Sequence, residues 1–118
     1  GGNIDRKGGA ESLMGRWASD TVRLSADTDV GIYNPGGLRA DLVEGPLTRG
    51  DVYNVFPFGN TIVRFDMTGD QLVGLLLRNA SAALNDNHPV MQLSGVTVSW
   101  ALRAGAPELM DIRVGVAL

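Results

Sequence analysis

Cysteine is absent from the 118 residues, and histidine and lysine each occur once, at His88 and Lys7. Without thiols there are no disulfides, no thiolate chemistry and no cysteine-based zinc site. A single histidine cannot supply the several His, Asp and Asn ligands of a two-metal hydrolytic centre, and His88 sits before Pro89 in a polar loop without ligand-spaced partners. No glycine pair is followed by the Lys-Ser/Thr of a phosphate loop. Ser12 and Ser94 have no base at a recognisable spacing for nucleophilic work. No apolar run approaches the roughly 18 residues that a membrane span requires. The formal net charge is −3 and the arginines are scattered singly, which argues against a broad nucleic-acid-binding face. The opening Gly1-Gly2-Asn3 has neither the charged nor the apolar region of a signal peptide, and no initiating Met, so it reads as the start of a processed or excised piece.

What is present suits one globular domain over residues 1–118, with 44% hydrophobic residues and no repeats. After a glycine-rich lead-in, the spacing predicts a helix from Glu11. Leu13, Trp17 and Thr21 fall on one line, Met14, Ala18 and Val22 lie beside them, and Ser12 serves as N-cap. Gly15 inside this helix implies close approach of another backbone. Val30–Tyr33 reads as a short buried strand and Leu38–Val43 as a second extended piece. Thr48 with Asp51 has capping-box spacing and opens a short helix from Arg49 to Asn54. Thr61–Met67 alternates, placing Thr61, Val63, Phe65 and Met67 on one face and Ile62, Arg64 and Asp66 on the other, and so predicts a strand. Thr68 with Gln71 opens a helix over 69–84, its inward stripe formed by Leu72, Leu75, Leu76, Asn79, Ala80 and Ala83. Asn85–Pro89 is a turn-rich loop. Val90–Leu93, Val96–Trp100 and Leu109–Val116 read as strands, with a turn at Ala104–Pro107. The order implies an α+β fold, a layered mixed sheet with packed helices; the pattern leaves strand order open.

Two stretches carry recognition chemistry. Asn34-Pro35-Gly36-Gly37-Leu38-Arg39 gathers an amide, glycine main-chain N–H groups and a guanidinium within a bend, a set suited to an oxygen-rich or anionic ligand. The same residues also make a tight hairpin with a surface arginine. In Phe56-Pro57-Phe58-Gly59-Asn60, proline and glycine flank an aromatic ring, which is either presented rigidly at a loop or used to plug the core.

These phrases resemble the C-terminal domain of the 5'-nucleotidase family, which includes ecto-5'-nucleotidases and UDP-sugar hydrolases. The resemblance also takes in Gly45-Pro-Leu-Thr-Arg-Gly-Asp-Val-Tyr53, Glu11–Asp20, Met67-Thr-Gly-Asp-Gln-Leu72 and Leu93-Ser-Gly-Val-Thr-Val98, in consistent order over nearly the whole chain. It implies the α+β fold of that domain and a substrate-binding role, with no catalytic and no metal-binding residue here. By resemblance Asn34 and Arg39 contact base, ribose and nearby phosphate, and Phe58 is one of two rings that sandwich the base. Gly36, Gly37, Gly59 and Asn60 complete the candidate binding set.

The family's two divalent metal ions and catalytic residues belong to an N-terminal metallophosphatase domain, so this chain is expected to be inactive alone. The chain stops before the family's closing Gly-Gly-Asp-Gly-aromatic segment, which carries the second ring, so only half the clamp is expected here. Expected partners are a nucleoside or nucleotide and that N-terminal domain, with no nucleic acid and no membrane span, and with self-association through an open edge. The resemblance implies a periplasmic, secreted or cell-surface protein. Other readings are a non-catalytic binding or self-associating module, and a relative acting on 2',3'-cyclic nucleotides, UDP-sugars or sulfur-oxidation conjugates.

Overall fold

The computed structural model describes residues 12–84 and 90–115. The lead-in through Glu11, the Asn85–Pro89 loop with His88, and the end of the last predicted strand at Val116 lie outside the described residues. The elements run α1 (Leu13–Ala26), β1 (Gly31–Tyr33), a 3-10 turn (Pro35–Gly37), α2 (Arg49–Val55), α3 (Gly69–Leu84), β2 (Gln92–Ser94), β3 (Val96–Arg103) and β4 (Ala106–Val114). The fold is α+β. Among the described residues its strands form two antiparallel ribbons, β1–β2 and β3–β4.

Local chemistry sets the ends of α1. Ser12 Oγ accepts from Gly15 N at 2.9 Å, and Ser12 N donates to Gln92 Oε1 at 3.1 Å, so the N-terminus is capped from inside and from β2. At the other end Asp27 turns left-handed at φ 52°, and Thr28 N reaches Arg23 O at 3.2 Å. The buried positions are Met14, Gly15, Ala18 and Ser19. The inward stripe is therefore rotated from the Leu13–Trp17–Thr21 line: Leu13 is exposed and Trp17 half-buried. Gly15 does mark a close approach, but by a side chain rather than a backbone. A Cβ there would collide with the Gln92 carboxamide.

A polar seam fastens α1 to β2. Arg23 Nε donates to Ser94 Oγ at 2.7 Å, and Ser94 Oγ donates to Asp20 Oδ1. Gly31 backs onto Ser19 and Arg23 of α1, so that β1 lies directly on the helix. β1 and β2 run antiparallel with Gly31 opposite Ser94 and Tyr33 opposite Gln92. The core beneath them is Met14, Ala18, Leu38, Leu42 and Val55, with Trp17, Tyr33, Ala40 and Phe56 packed against it.

Both capping boxes form: Thr48 with Asp51 on α2, and Thr68 with Gln71 on α3. On α3 Leu76 and Ala80 are buried, and Asn79 exchanges two hydrogen bonds with the Met91 main chain, at 3.0 and 2.8 Å. The β3–β4 hairpin turns through Ala104 and Gly105, both at positive φ, a two-residue turn whose twist matches that of its strands. Strand β4 therefore begins at Ala106, inside the segment expected to be turn, and Pro107 pairs with Leu102.

Two expected extended segments differ. Leu38–Val43 contributes only a single bridge residue, Leu42. Thr61–Met67 forms no strand, and every residue but the half-buried Met67 is exposed. Alternation alone does not make a strand; a partner must accept its hydrogen bonds, and among the described residues none does.

Candidate functional site

The bend after β1 is a 3-10 turn rather than a hairpin. Pro35 opens it, Gly37 N reaches Asn34 O at 3.1 Å and Leu38 N reaches Pro35 O at 3.1 Å. A proline at the first position suits such a turn, since its φ is preset and the missing N–H would go unused. Gly36 and Gly37 do not take the left-handed conformation their type permits. Gly37 is required by close approach instead: a Cβ there would stand 2.9 Å from Tyr33 Cε1 and 3.1 Å from its hydroxyl. Gly36 faces open space apart from the Asn34 amide, 3.6 Å from where its Cβ would be.

Turn geometry sorts the side chains. Leu38 goes inward and is buried, while Asn34 and Arg39 remain exposed on either side of it. Asn34 makes no capping bond with its side chain. Its amide is thus not consumed by the turn it introduces.

The aromatic stretch is anchored beside this bend. Arg39 N donates to Val55 O at 3.0 Å, joining the exit of the turn to the last residue of α2. Phe56 follows immediately. Its ring lies 5.7 Å from that of Tyr33, edge-on at 78°, and 5.5 Å from that of Trp17, tilted at 46°. Burial pushes the Tyr33 hydroxyl pKa above its ordinary value. Phe56 is therefore a core residue. Two positions on, Phe58 is 53% exposed. Gly59 and Asn60 are also exposed, and a Cβ on Gly59 would meet nothing within 4 Å.

The seven residues singled out in the sequence thus lie on two segments joined by one main-chain hydrogen bond and one pair of rings. Six are exposed; Gly37 is buried beneath the Tyr33 ring. Tyr33 went unrecognised as a site-shaping residue. Its signal was an aromatic one position before the bend, facing a glycine four residues on. The arrangement is an open surface, and two clefts elsewhere, at α3–β3 and beside residues 62–69, do not include these side chains. The exposed side chains on the two segments are an amide, a guanidinium and an aromatic ring, types that suit polar edges, oxygens and a π-system.

Among the described residues no three or more His, Cys, Asp or Glu come together in a way that could hold a metal ion. The described residues therefore do not fit the two-metal centre that the resemblance implies for the family. Among them, no helix is long and apolar enough to cross a membrane.

Comparison with known proteins agrees with this architecture. Residues 2–114 match the family model for the 5'-nucleotidase C-terminal domain. Endonuclease YhcR of Bacillus subtilis is 31% identical over 116 residues, covering 95% of this chain but 9% of that protein. NAD 5'-nucleotidase of Haemophilus influenzae is 39% identical over 70 residues, 58% of this chain and 11% of that protein. Among solved structures, the 5'-nucleotidase precursor from Thermus thermophilus superposes with a TM-score of 0.77 at 29% identity, over 95% of this chain and 24% of that one. The chain thus spans a small part of the proteins it resembles.

Proposed function

The chain belongs to the family of 5'-nucleotidase C-terminal domains, and from that premise we propose that it is the nucleoside-recognition domain of a metal-dependent phosphohydrolase acting in nucleotide catabolism. The observation that supports this reading is the exposed Phe58 ring, on the segment that the Arg39–Val55 hydrogen bond and the Tyr33–Phe56 contact tie to the Asn34–Arg39 bend. An exposed ring can stack on a base, worth roughly 1–3 kcal/mol. Arg39 meets ribose or phosphate oxygens and Asn34 meets a polar base edge. An endonuclease and a NAD 5'-nucleotidase stand among the relatives, and a nucleoside phosphate is the group such substrates share.

On this reading residues 1–118 form one domain. The two divalent metal ions and the hydrolytic step reside in a separate N-terminal domain of the parent, which operates in the periplasm, at the cell surface or outside the cell. The other face of the base is covered by a part of the parent outside this chain. One ring alone binds weakly, because association must first offset the lost rigid-body freedom.

Titration of the labelled chain with adenosine or AMP tests the reading. Amide and side-chain NMR signals of Asn34, Arg39 and Phe58 are expected to shift, and Phe58→Ala to abolish the shifts. Shifts confined to other regions, or unaltered by Phe58→Ala, would overturn the site. The purified chain is expected to turn over no phosphate ester with Mn²⁺, Zn²⁺ or Co²⁺.

A further inference from the structure

The bend that carries Asn34 and Arg39 contains two adjacent glycines, the residue type that loses most backbone freedom on ordering. A Gly-Gly bend left to itself samples many shapes, and a ligand that fits one of them binds more weakly by the fraction of time that shape is populated. Here the freedom is removed from both sides. Pro35 presets φ at the first position of the 3-10 turn. Gly37 N donates to Asn34 O and Leu38 N to Pro35 O, each at 3.1 Å. Downstream, Leu38 is 2% exposed and Arg39 N donates to Val55 O at 3.0 Å.

The remaining restraint is the Tyr33 ring. A Cβ on Gly37 would stand 2.9 Å from its Cε1 and 3.3 Å from its Cζ, so the ring lies directly against that glycine. The ring is itself fixed, edge-on to Phe56 at 5.7 Å and on a strand residue paired with Gln92. Burial raises the pKa of its hydroxyl, and no hydrogen bond contributes to the shift. The restraint therefore belongs to the ring rather than to the hydroxyl. The main chain of the bend is held, while the Asn34 side chain takes no part in capping the turn and Asn34, Gly36 and Arg39 remain exposed.

We infer that Tyr33 and Pro35 are positioning residues, which hold the Asn34–Arg39 bend in its ligand-ready shape before a ligand arrives. The ordering of the two glycines is completed at folding, so it no longer opposes binding. Neither residue has to touch the ligand. The inference rests on the nucleoside-recognition reading above and deepens it.

NMR of the labelled chain tests it, with ¹⁵N relaxation to follow the bend, AMP titration to give Kd and urea unfolding to follow stability. In the wild type the Gly37 amide is expected to be as rigid as β1, with an order parameter of about 0.85. Tyr33→Phe keeps the ring and is expected to preserve both rigidity and Kd. Tyr33→Leu keeps apolar bulk without the ring; the order parameter is expected to fall toward about 0.6 and Kd to rise about tenfold. Pro35→Ala frees one φ outside the core and is expected to raise Kd about twofold to fivefold. Ala80→Gly on α3 lowers stability far from the bend and is expected to leave Gly37 rigid and Kd unchanged.

Two failures are distinguishable. If AMP shifts none of Asn34, Arg39 and Phe58 in the wild type, the ligand reading falls and this inference with it. If those shifts appear, yet Tyr33→Leu and Pro35→Ala leave the bend rigid, or loosen it without weakening AMP, the inference alone is overturned. A loss of affinity in Ala80→Gly equal to that in Tyr33→Leu would assign the effect to stability and overturn it too.

Discussion

Tyr33 meets Phe56 edge-on, 5.7 Å between ring centroids. One ring precedes the Asn34 bend and the other precedes Pro57 and Phe58, so the contact couples two segments more than twenty residues apart in sequence. The two segments that carry the candidate site residues are thus tied together by a half-buried pair of rings.

Phe56 and Phe58 are expected to separate stability from binding. Phe56 packs on Trp17, Tyr33 and the core, so Phe56→Ala should cost about 2–3 kcal/mol in urea unfolding. Phe58 is more than half exposed, and Phe58→Ala should change stability by less than about 0.5 kcal/mol while removing nucleoside-induced shifts. The reverse pattern would mean that the roles of the two rings have been exchanged.

Gly37 tolerates no side chain while Tyr33 lies over it. A Cβ at 2.9 Å from Cε1 forces the ring or the turn to move, so Gly37→Ala should destabilise by about 1–3 kcal/mol and alter the near-UV signal of Tyr33. In a Tyr33→Ala background the same substitution should cost less than about 0.5 kcal/mol. Equal costs in both backgrounds would place the penalty elsewhere.

Acid should release the start of α2. Main-chain and then side-chain hydrogen bonding with Thr48 hold the Asp51 carboxyl pKa below its ordinary value. A carboxyl whose folded pKa is depressed contributes stability above its unfolded pKa and loses that contribution as pH falls through the folded value. The Thr48 amide signal should therefore move below about pH 4, in step with fraying of the first turn. Asp51→Asn keeps an acceptor without the charge and should remove the acid transition. A transition of undiminished size in that variant would assign it to another carboxylate.

Much of the fold was legible before any coordinate. The capping residues Ser12, Thr48 and Thr68 mark the starts of the three helices because a side-chain oxygen satisfies an orphan N–H within a few residues, a wholly local event. The α3 stripe follows from period alone, and of the two phenylalanines in Phe56–Asn60 one, Phe56, packs against the core. Local reading failed where a distant group decided. Which face of α1 turns inward depends on where β1, β2 and Gln92 lie, so Met14 and Gly15 are buried and Leu13 is not. A glycine pair permits either positive φ or the close approach of another group, and only the fold selects the second at Gly37, where the Tyr33 ring lies against it.

The sequence by itself determined the helices, their caps and the residue types offered at the bend, because propensity, capping and periodicity act over a few neighbouring positions. Only the tertiary structure decided that the exit of the Asn34 bend is joined to the end of α2, through a hydrogen bond from Arg39 to Val55, and that Thr61–Met67 remains unpaired among the described residues. A strand's hydrogen bonds and a ring's neighbours come from elsewhere in the chain, and no local pattern specifies which partner arrives.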